Sequence, residues 1–220
     1  SLYEEKRAIT YPRTDSKFLP KALRKEVARV LSDLNTGEYA PFVQHAIEEG
    51  WAMRPFAFND DKVTDHYAII PTGTRVEREA LSHDESIVYD LVVRRFIEQF
   101  YREAVFLLTR VETVVQDEMF GTDGRVVQRK GWMEVAPGEA DIRDLPPLTK
   151  GMAIQAFKVA VEHKFTKPPQ HFTDASIIAA METAGKLVDD EELAEAMRER
   201  GLGTPATRAE IIEKLIRTGV

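Results

Sequence analysis

A chain of 220 residues, 43% hydrophobic and 30% charged, is long enough to bury a proper core and reads as ordinary soluble globular material, in one large domain or two small ones. It has no cysteine, hence no disulfide or zinc–thiolate site, no apolar run near the ~20 residues that span a bilayer, and an opening Leu2-Tyr3-Glu4-Glu5-Lys6-Arg7 unlike a signal peptide; a cytoplasmic setting with no membrane partner is the default. The net charge of -7 argues against general affinity for nucleic acid, yet residues 1–30 hold eight bases against four acids, whereas residues 31–70 hold two against seven. A solvated helix face would also explain the basic run.

The pattern predicts a first helix after Pro20, with Leu23, Val27, Val30, Leu31 and Leu34 as its apolar stripe and Gly37 beyond its end. A shorter helix is expected over Tyr39 to Glu49, with Phe42, Val43, Ala46 and Ile47 inward and Gly50 as the stop. Residues 51–80, broken by Pro55, Pro71 and Gly73, read as irregular. Ser82-His83-Asp84-Glu85 is a capping box opening a long helix to about Tyr101, with Val88, Leu91, Val92, Phe96 and Phe100 buried. The period then changes. Residues 104–115 read as a strand, Gly121-Thr122-Asp123-Gly124 as a turn, and Arg125 to Val135 as the next strand. After Leu145-Pro146-Pro147, the alternation of Phe157, Val159, Val161 and Phe165 against Lys158, Glu162 and Lys164 predicts another strand over Met152 to Phe165. The end returns to helix: Thr173 caps Asp174–Ala184, Asp189 or Asp190 caps a helix ending before Gly201, and Thr204-Pro205 opens Ala206–Arg217. The last two helices, joined by Gly201-Leu202-Gly203, have a helix-turn-helix outline.

Three segments have residues suited to phosphate chemistry. In Ile9-Thr10-Tyr11-Pro12-Arg13-Thr14-Asp15-Ser16, proline pushes Tyr11 toward extended backbone, where residues two apart face the same side. A phenol titrating near ~10 is a weak nucleophile, and a neighbouring guanidinium such as Arg13 both eases its ionisation and matches the charge on a phosphate. A structural tyrosine under a proline turn, with Arg13 in a surface ion pair, satisfies the same pattern. In Asp65-His66-Tyr67-Ala68-Ile69-Ile70-Pro71-Thr72, the Asp65 carboxylate favours a cationic His66, a second phosphate contact; a histidine satisfied by backbone beside a core strand is the structural reading. The start of the last helix offers free backbone N–H groups beside Thr204, Thr207 and Arg208, an anion site or simply a well-capped end. No residue spacing suggests a metal site.

Taken together these segments, with Phe172-Thr173-Asp174-Ala175-Ser176 and Gly201-Leu202-Gly203-Thr204-Pro205-Ala206-Thr207-Arg208-Ala209-Glu210-Ile211-Ile212, resemble type IA DNA topoisomerases. Pro12 and the Thr204–Arg208 wording are most similar to bacterial topoisomerase III. The resemblance implies a multidomain α+β fold: a lead-in segment of the β arch over 1–7, a helical, winged-helix-like tyrosine domain over 8–101, an antiparallel β arch domain over 102–167, and part of the helical DNA-groove domain over 168–220. It implies that Tyr11 and Arg13 are catalytic, and that His66, Thr173, Thr204, Thr207 and Arg208 contact single-stranded DNA. It implies ATP-independent cleavage and resealing through a 5′-phosphotyrosyl intermediate, permitting strand passage, relaxation and decatenation. Tyr67 stands where the family often has a second histidine, and Asp174 where it often has glutamate. Magnesium is the family's cofactor, held by a Toprim domain ahead of the tyrosine. Only ten residues precede Tyr11, so this chain is expected to be a fragment with no cofactor of its own, dependent on that Toprim domain as partner and unable to relax DNA alone. A helicase partner and a nucleoid-associated location fit such an enzyme. The alternative is a non-catalytic helix-turn-helix module that reads duplex DNA.

Overall fold

In the computed structural model, which describes all residues except Ser1, Trp51, Thr64, residues 137–140, Ala156, Leu187, Asp189, Glu199, Arg200 and Val220, the first predicted helix forms as α1 (Arg24–Asp33), entered through a single 3₁₀ turn after Pro20. Val27, Val30, Leu31 and Leu34 bury the stripe expected of them, because their spacing keeps them on one helical face. The chain divides into two units, Ser1–Pro12 with Ser16–Ala160 and Arg13–Asp15 with Val161–Val220.

In the first unit, α2 (Ala40–Glu48) buries Val43 and Ala46, but Ile47 is half-exposed rather than inward. Helix α3 (His83–Glu98) starts on the predicted capping box: Ser82 Oγ accepts from the Glu85 N–H, and the Ser82 N–H donates to Glu85 Oε2 at 3.0 Å. Its inward face matches the predicted one in part. Phe96 and, just beyond the helix, Phe100 are buried and Val92 packs on the core, but Tyr89, Val93 and Ile97 are buried too, while Val88 and Leu91 face solvent. Two apolar stripes overlap in this sequence, and polar contacts choose between them. Arg94 pairs with Asp90 at 2.9 Å and with Glu38 at 3.2 Å and donates to the Val135 carbonyl, while Tyr39 Oη donates to Asp90 at 3.1 Å. Those bonds set the rotation of α3 and bring its 89/93/96/97 row onto the core.

Strands β1 (Val105–Val115) and β2 (Glu118–Arg129) form an antiparallel hairpin with Val115 opposite Glu118. The turn is therefore Gln116-Asp117, both at positive φ (50° and 65°), as a two-residue turn matching strand twist requires. The predicted turn at 121–124 is corrected: both glycines lie inside β2. Gly124 marks a close approach instead, since a Cβ there would meet Leu145 Cγ at 2.7 Å. The strand expected to reach Val135 stops at Arg129, where Gly131 (φ +52°) packs on the Arg102 and Glu103 backbone and starts a 3₁₀ turn. Arg143 adds one antiparallel bridge to Arg125. The strand predicted over 152–165 does not form among the described residues: Phe157 is 97% exposed and Phe165 93%. Alternation alone does not make a strand. The ladder needs a neighbour to satisfy its backbone groups.

In the second unit, α4 (Asp174–Glu182) carries the predicted Thr173 cap, with Thr173 Oγ1 accepting from the Ser176 N–H at 3.2 Å, but ends two residues before Ala184. Asp190 caps α5 (Glu191–Arg198) by accepting from the Leu193 N–H; the alternative cap, Asp189, lies outside the described residues. Helix α6 (Arg208–Thr218) begins later than predicted, after a turn over Thr204–Thr207. Gly201 (φ +61°) sits against the end of α4, where a Cβ would meet the Met181 carbonyl at 2.5 Å, and Leu202 N donates to that same carbonyl.

Candidate active site

The tyrosine and histidine segments, 55 positions apart in the sequence from Tyr11 to His66, are laced together by their backbones. Ile9 and Pro71 form an antiparallel bridge; Thr10 N donates to the Ile70 carbonyl at 2.9 Å, and Thr72 N to the Ala8 carbonyl at 3.1 Å. Thr10 adds a side-chain clamp, its Oγ1 accepting from the Ile70 N–H at 2.9 Å, and Thr72 Oγ1 donates to the Arg7 carbonyl at 2.6 Å. Ile9 and Ile70 are buried, so the lacing is anchored in the core. Beyond the loop, Ser16 Oγ donates to the Lys62 carbonyl and the Ala68 N–H donates to the Phe18 carbonyl. The segment is thus tied down on both sides of residues 11–15. Thr10 is a residue that sequence reasoning passed over; its signal was a β-branched hydroxyl one place before the tyrosine, and so on the opposite face.

This lacing puts the Tyr11 and His66 rings side by side, with centroids 4.2 Å apart and planes tilted by 40°. Tyr3 meets Tyr11 on another side, edge-on, at 5.3 Å and 78°. The three rings line an open cleft of about 870 Å³ together with Glu4, Arg7, Ile9, Thr10, Tyr67 and Thr72. Tyr11 is half-buried, its ring held and its hydroxyl without a hydrogen-bond partner among the described residues. It is not sealed in an apolar interior. Burial, with Glu26 nearby, pushes the Tyr67 phenol up, which makes that residue a neutral wall of the cleft.

Arg13 is exposed and does not line this cleft; it pairs with no described carboxylate. The cation that does line it is Arg7, unmarked in the sequence reading. In the second unit, the Thr173 hydroxyl is engaged in the α4 cap, and the Thr204 and Thr207 hydroxyls lie 3.1 Å apart, with Thr207 Oγ1 accepting from the Thr204 N–H. Arg208 is buried at 4% exposure. Its guanidinium donates to the Leu202 carbonyl, the Gly203 carbonyl and Asp15 Oδ1, the last at 3.0 Å. Arg208 thus holds the Gly201-Leu202-Gly203 turn and Asp15 in place. Among the described residues no group of three or more His, Cys, Asp or Glu side chains could hold a metal ion. No described helix is long and apolar enough to cross a membrane.

A phenol displayed beside an imidazole in an open cleft, on a laced pair of segments, has the chemistry of a nucleophile that a bound group can reach. Comparison with known proteins says of which class. A sequence model of the DNA topoisomerase family matches residues 1–220, and the chain belongs to that family. It is 36% identical to DNA topoisomerase 3 of Vibrio cholerae serotype O1 over 100% of the chain and 35% of the relative, and 35% identical to DNA topoisomerase 3 of Bacillus licheniformis over 99% of the chain and 31% of the relative. DNA topoisomerase 1 of Bacillus anthracis is 35% identical over 98% of the chain and 25% of its own length. The chain therefore spans about a third or less of these relatives. The solved structure of full-length topoisomerase I from Thermotoga maritima superposes with a TM-score of 0.62 at 21% identity, covering 96% of this chain and 31% of that one, so the fold is shared.

Proposed function

We propose that this chain is the tyrosine-bearing portion of a type IA DNA topoisomerase, acting on single-stranded DNA. Tyr11 Oη attacks the phosphorus of a phosphodiester; a tyrosyl–phosphate bond forms, the bond to the 3′ oxygen breaks, and the departing strand end leaves as a free 3′ hydroxyl after taking up a proton. The 5′ phosphate stays on Tyr11. The reverse attack by the 3′ hydroxyl reseals the strand and restores the phenol. The link conserves the energy of the broken bond, so resealing needs no ATP.

The observation carrying this reading is the placement of Tyr11: its hydroxyl has no described partner, its ring lies against His66 at a tilt of 40°, and both line one open cleft. His66 is assigned to the bound strand. Arg13 is assigned to the phosphate as charge grows in the transition state, which requires the 13–15 segment to bring its exposed guanidinium to the bound strand. Thr173, Thr204 and Thr207 are assigned to the single-strand groove, and Arg208 to the support of that surface. The winged-helix-like character of residues 8–101, the β arch over 102–167 and the groove domain over 168–220 are part of the same reading. The same reading assigns magnesium to a Toprim domain elsewhere in a longer polypeptide and expects this chain to be inactive by itself.

The test uses such a longer polypeptide, joined to the family's Toprim domain and incubated with single-stranded DNA. Tyr11→Phe should abolish the covalent protein–DNA adduct seen after denaturation while leaving binding intact, since only the phenol oxygen is removed. An adduct that persists in Tyr11→Phe would rule the assignment out.

A further inference from the structure

The turn that precedes the tyrosine segment is built to display its side chains. Ala8 N donates to the Leu2 carbonyl at 2.7 Å, and both residues are buried, so the ends of the turn are pinned; Tyr3, Glu4 and Arg7 line the cleft, while Lys6 donates to the Ala80 carbonyl at 2.7 Å. Tyr3 is 40% exposed while its ring touches Tyr11 edge-on. Arg7 lines the same cleft with its backbone at φ +50°, the left-handed region that side chains other than glycine rarely adopt, and Thr72 holds it there through its carbonyl. Glycine would take that conformation without strain. Arginine there costs stability, and its guanidinium is the only one lining the cleft among the described residues.

An aromatic ring and a cation lining one cleft with the Tyr11 phenol match what a single-stranded nucleotide offers: a base with two flat faces and a charged backbone. We infer that the Tyr3–Arg7 turn is a nucleotide subsite adjoining the attacked phosphate, in which Tyr3 stacks a base and Arg7 holds the neighbouring phosphate. The inference rests on the reading of Tyr11 as the nucleophile. Both residues act by positioning the strand; neither takes part in the bond exchange. Because every base presents a flat face, the subsite favours single strands with little choice of sequence.

The experiment is an anisotropy titration of a short fluorescent oligothymidylate with the 220-residue chain at several salt concentrations, with a duplex of equal length for comparison. Tyr3→Leu should weaken single-strand binding by roughly fivefold or more with the salt slope unchanged, as for loss of one stacked base, and Tyr3→Phe should restore it. Arg7→Gly should lower the log–log salt slope by about 0.7, as for one lost phosphate contact on a single strand, while raising the melting temperature through relief of the backbone. The opposite signs separate a ligand contact from a structural role. Wild-type affinity and slope in both variants would overturn the subsite and leave the Tyr11 reading standing, as would an unchanged slope with a lowered melting temperature in Arg7→Gly. A wild-type chain that binds duplex as tightly as single strands, or binds neither, would overturn the Tyr11 reading and the subsite with it.

Discussion

Tyr11 and Arg208 sit in segments that both carry family motifs, yet the molecule treats them in opposite ways. Tyr11 is positioned by the lacing of Thr10 and Ile9 to Ile70 and Pro71 and by ring contacts with His66 and Tyr3, and its hydroxyl is left open on a cleft. Arg208 is consumed by its surroundings, with carbonyls at Leu202 and Gly203 and the Asp15 carboxylate taking its donors. A guanidinium whose donors are taken up within the fold supports the structure; a phenol positioned with its hydroxyl unpaired among the described residues is available to a ligand. Sequence motifs do not distinguish the two, because both require a particular residue at a particular place.

The comparison breaks most visibly at Arg208. Arg208→Ala removes a buried cation from two carbonyls and a carboxylate and should destabilise the second unit by about 3 kcal/mol, the scale for hydrogen bonds to a charged group. Hydrogen exchange would then show the α6 amides losing roughly a hundredfold of protection. Unchanged protection would mean that Arg208 is free to serve a ligand after all. On the other side of the comparison, Thr10→Val keeps the branched shape but strips the hydroxyl that accepts from Ile70 N–H, at a cost of about 1–2 kcal/mol in urea unfolding. In the longer polypeptide the same variant should slow adduct formation more than it weakens strand binding, because it loosens the register between Tyr11 and His66. Equal effects on both would show that the lacing only stabilises.

The smallest effect concerns neither motif and serves as a control on the core. Burial, with Glu134 nearby, pushes the Tyr101 phenol from its ordinary 10.0 to about 12, while its hydroxyl donates to the Phe42 carbonyl. A phenol harder to ionise when folded gives stability that is fully present below pH 10 and declines as pH rises through the window to about 12. Tyr101→Phe should flatten that part of the alkaline limb in a series of denaturant midpoints. A limb of unchanged steepness would remove Tyr101 from the account.

Several local features were legible without coordinates. The Ser82 and Thr173 caps and the α1 stripe from Val27 to Leu34 formed as expected, because caps and helical faces depend on residues three and four apart. The hairpin turn was misplaced, because Gly121 and Gly124 carry the composition of a turn while Gln116 and Asp117 do not advertise theirs. The inward face of α3 was decided by the Arg94–Glu38 and Tyr39–Asp90 bonds, which join residues more than fifty positions apart. Alternation over 152–165 could not supply its own strand partner.

By itself, then, the sequence determined the Ser82 and Thr173 caps, the α1 stripe, which residue types are suited to phosphate chemistry, and the order of the motifs that resemble this family. Only tertiary structure decided that Tyr11 lies against His66 and Tyr3 on an open cleft, that Arg7 rather than Arg13 lines it, and that Arg208 is buried. The physical reason is range. Caps and stripes are settled within a turn or two of chain, whereas the exposure of a phenol or a guanidinium depends on backbone and carboxylate groups that only folding brings within hydrogen-bonding distance.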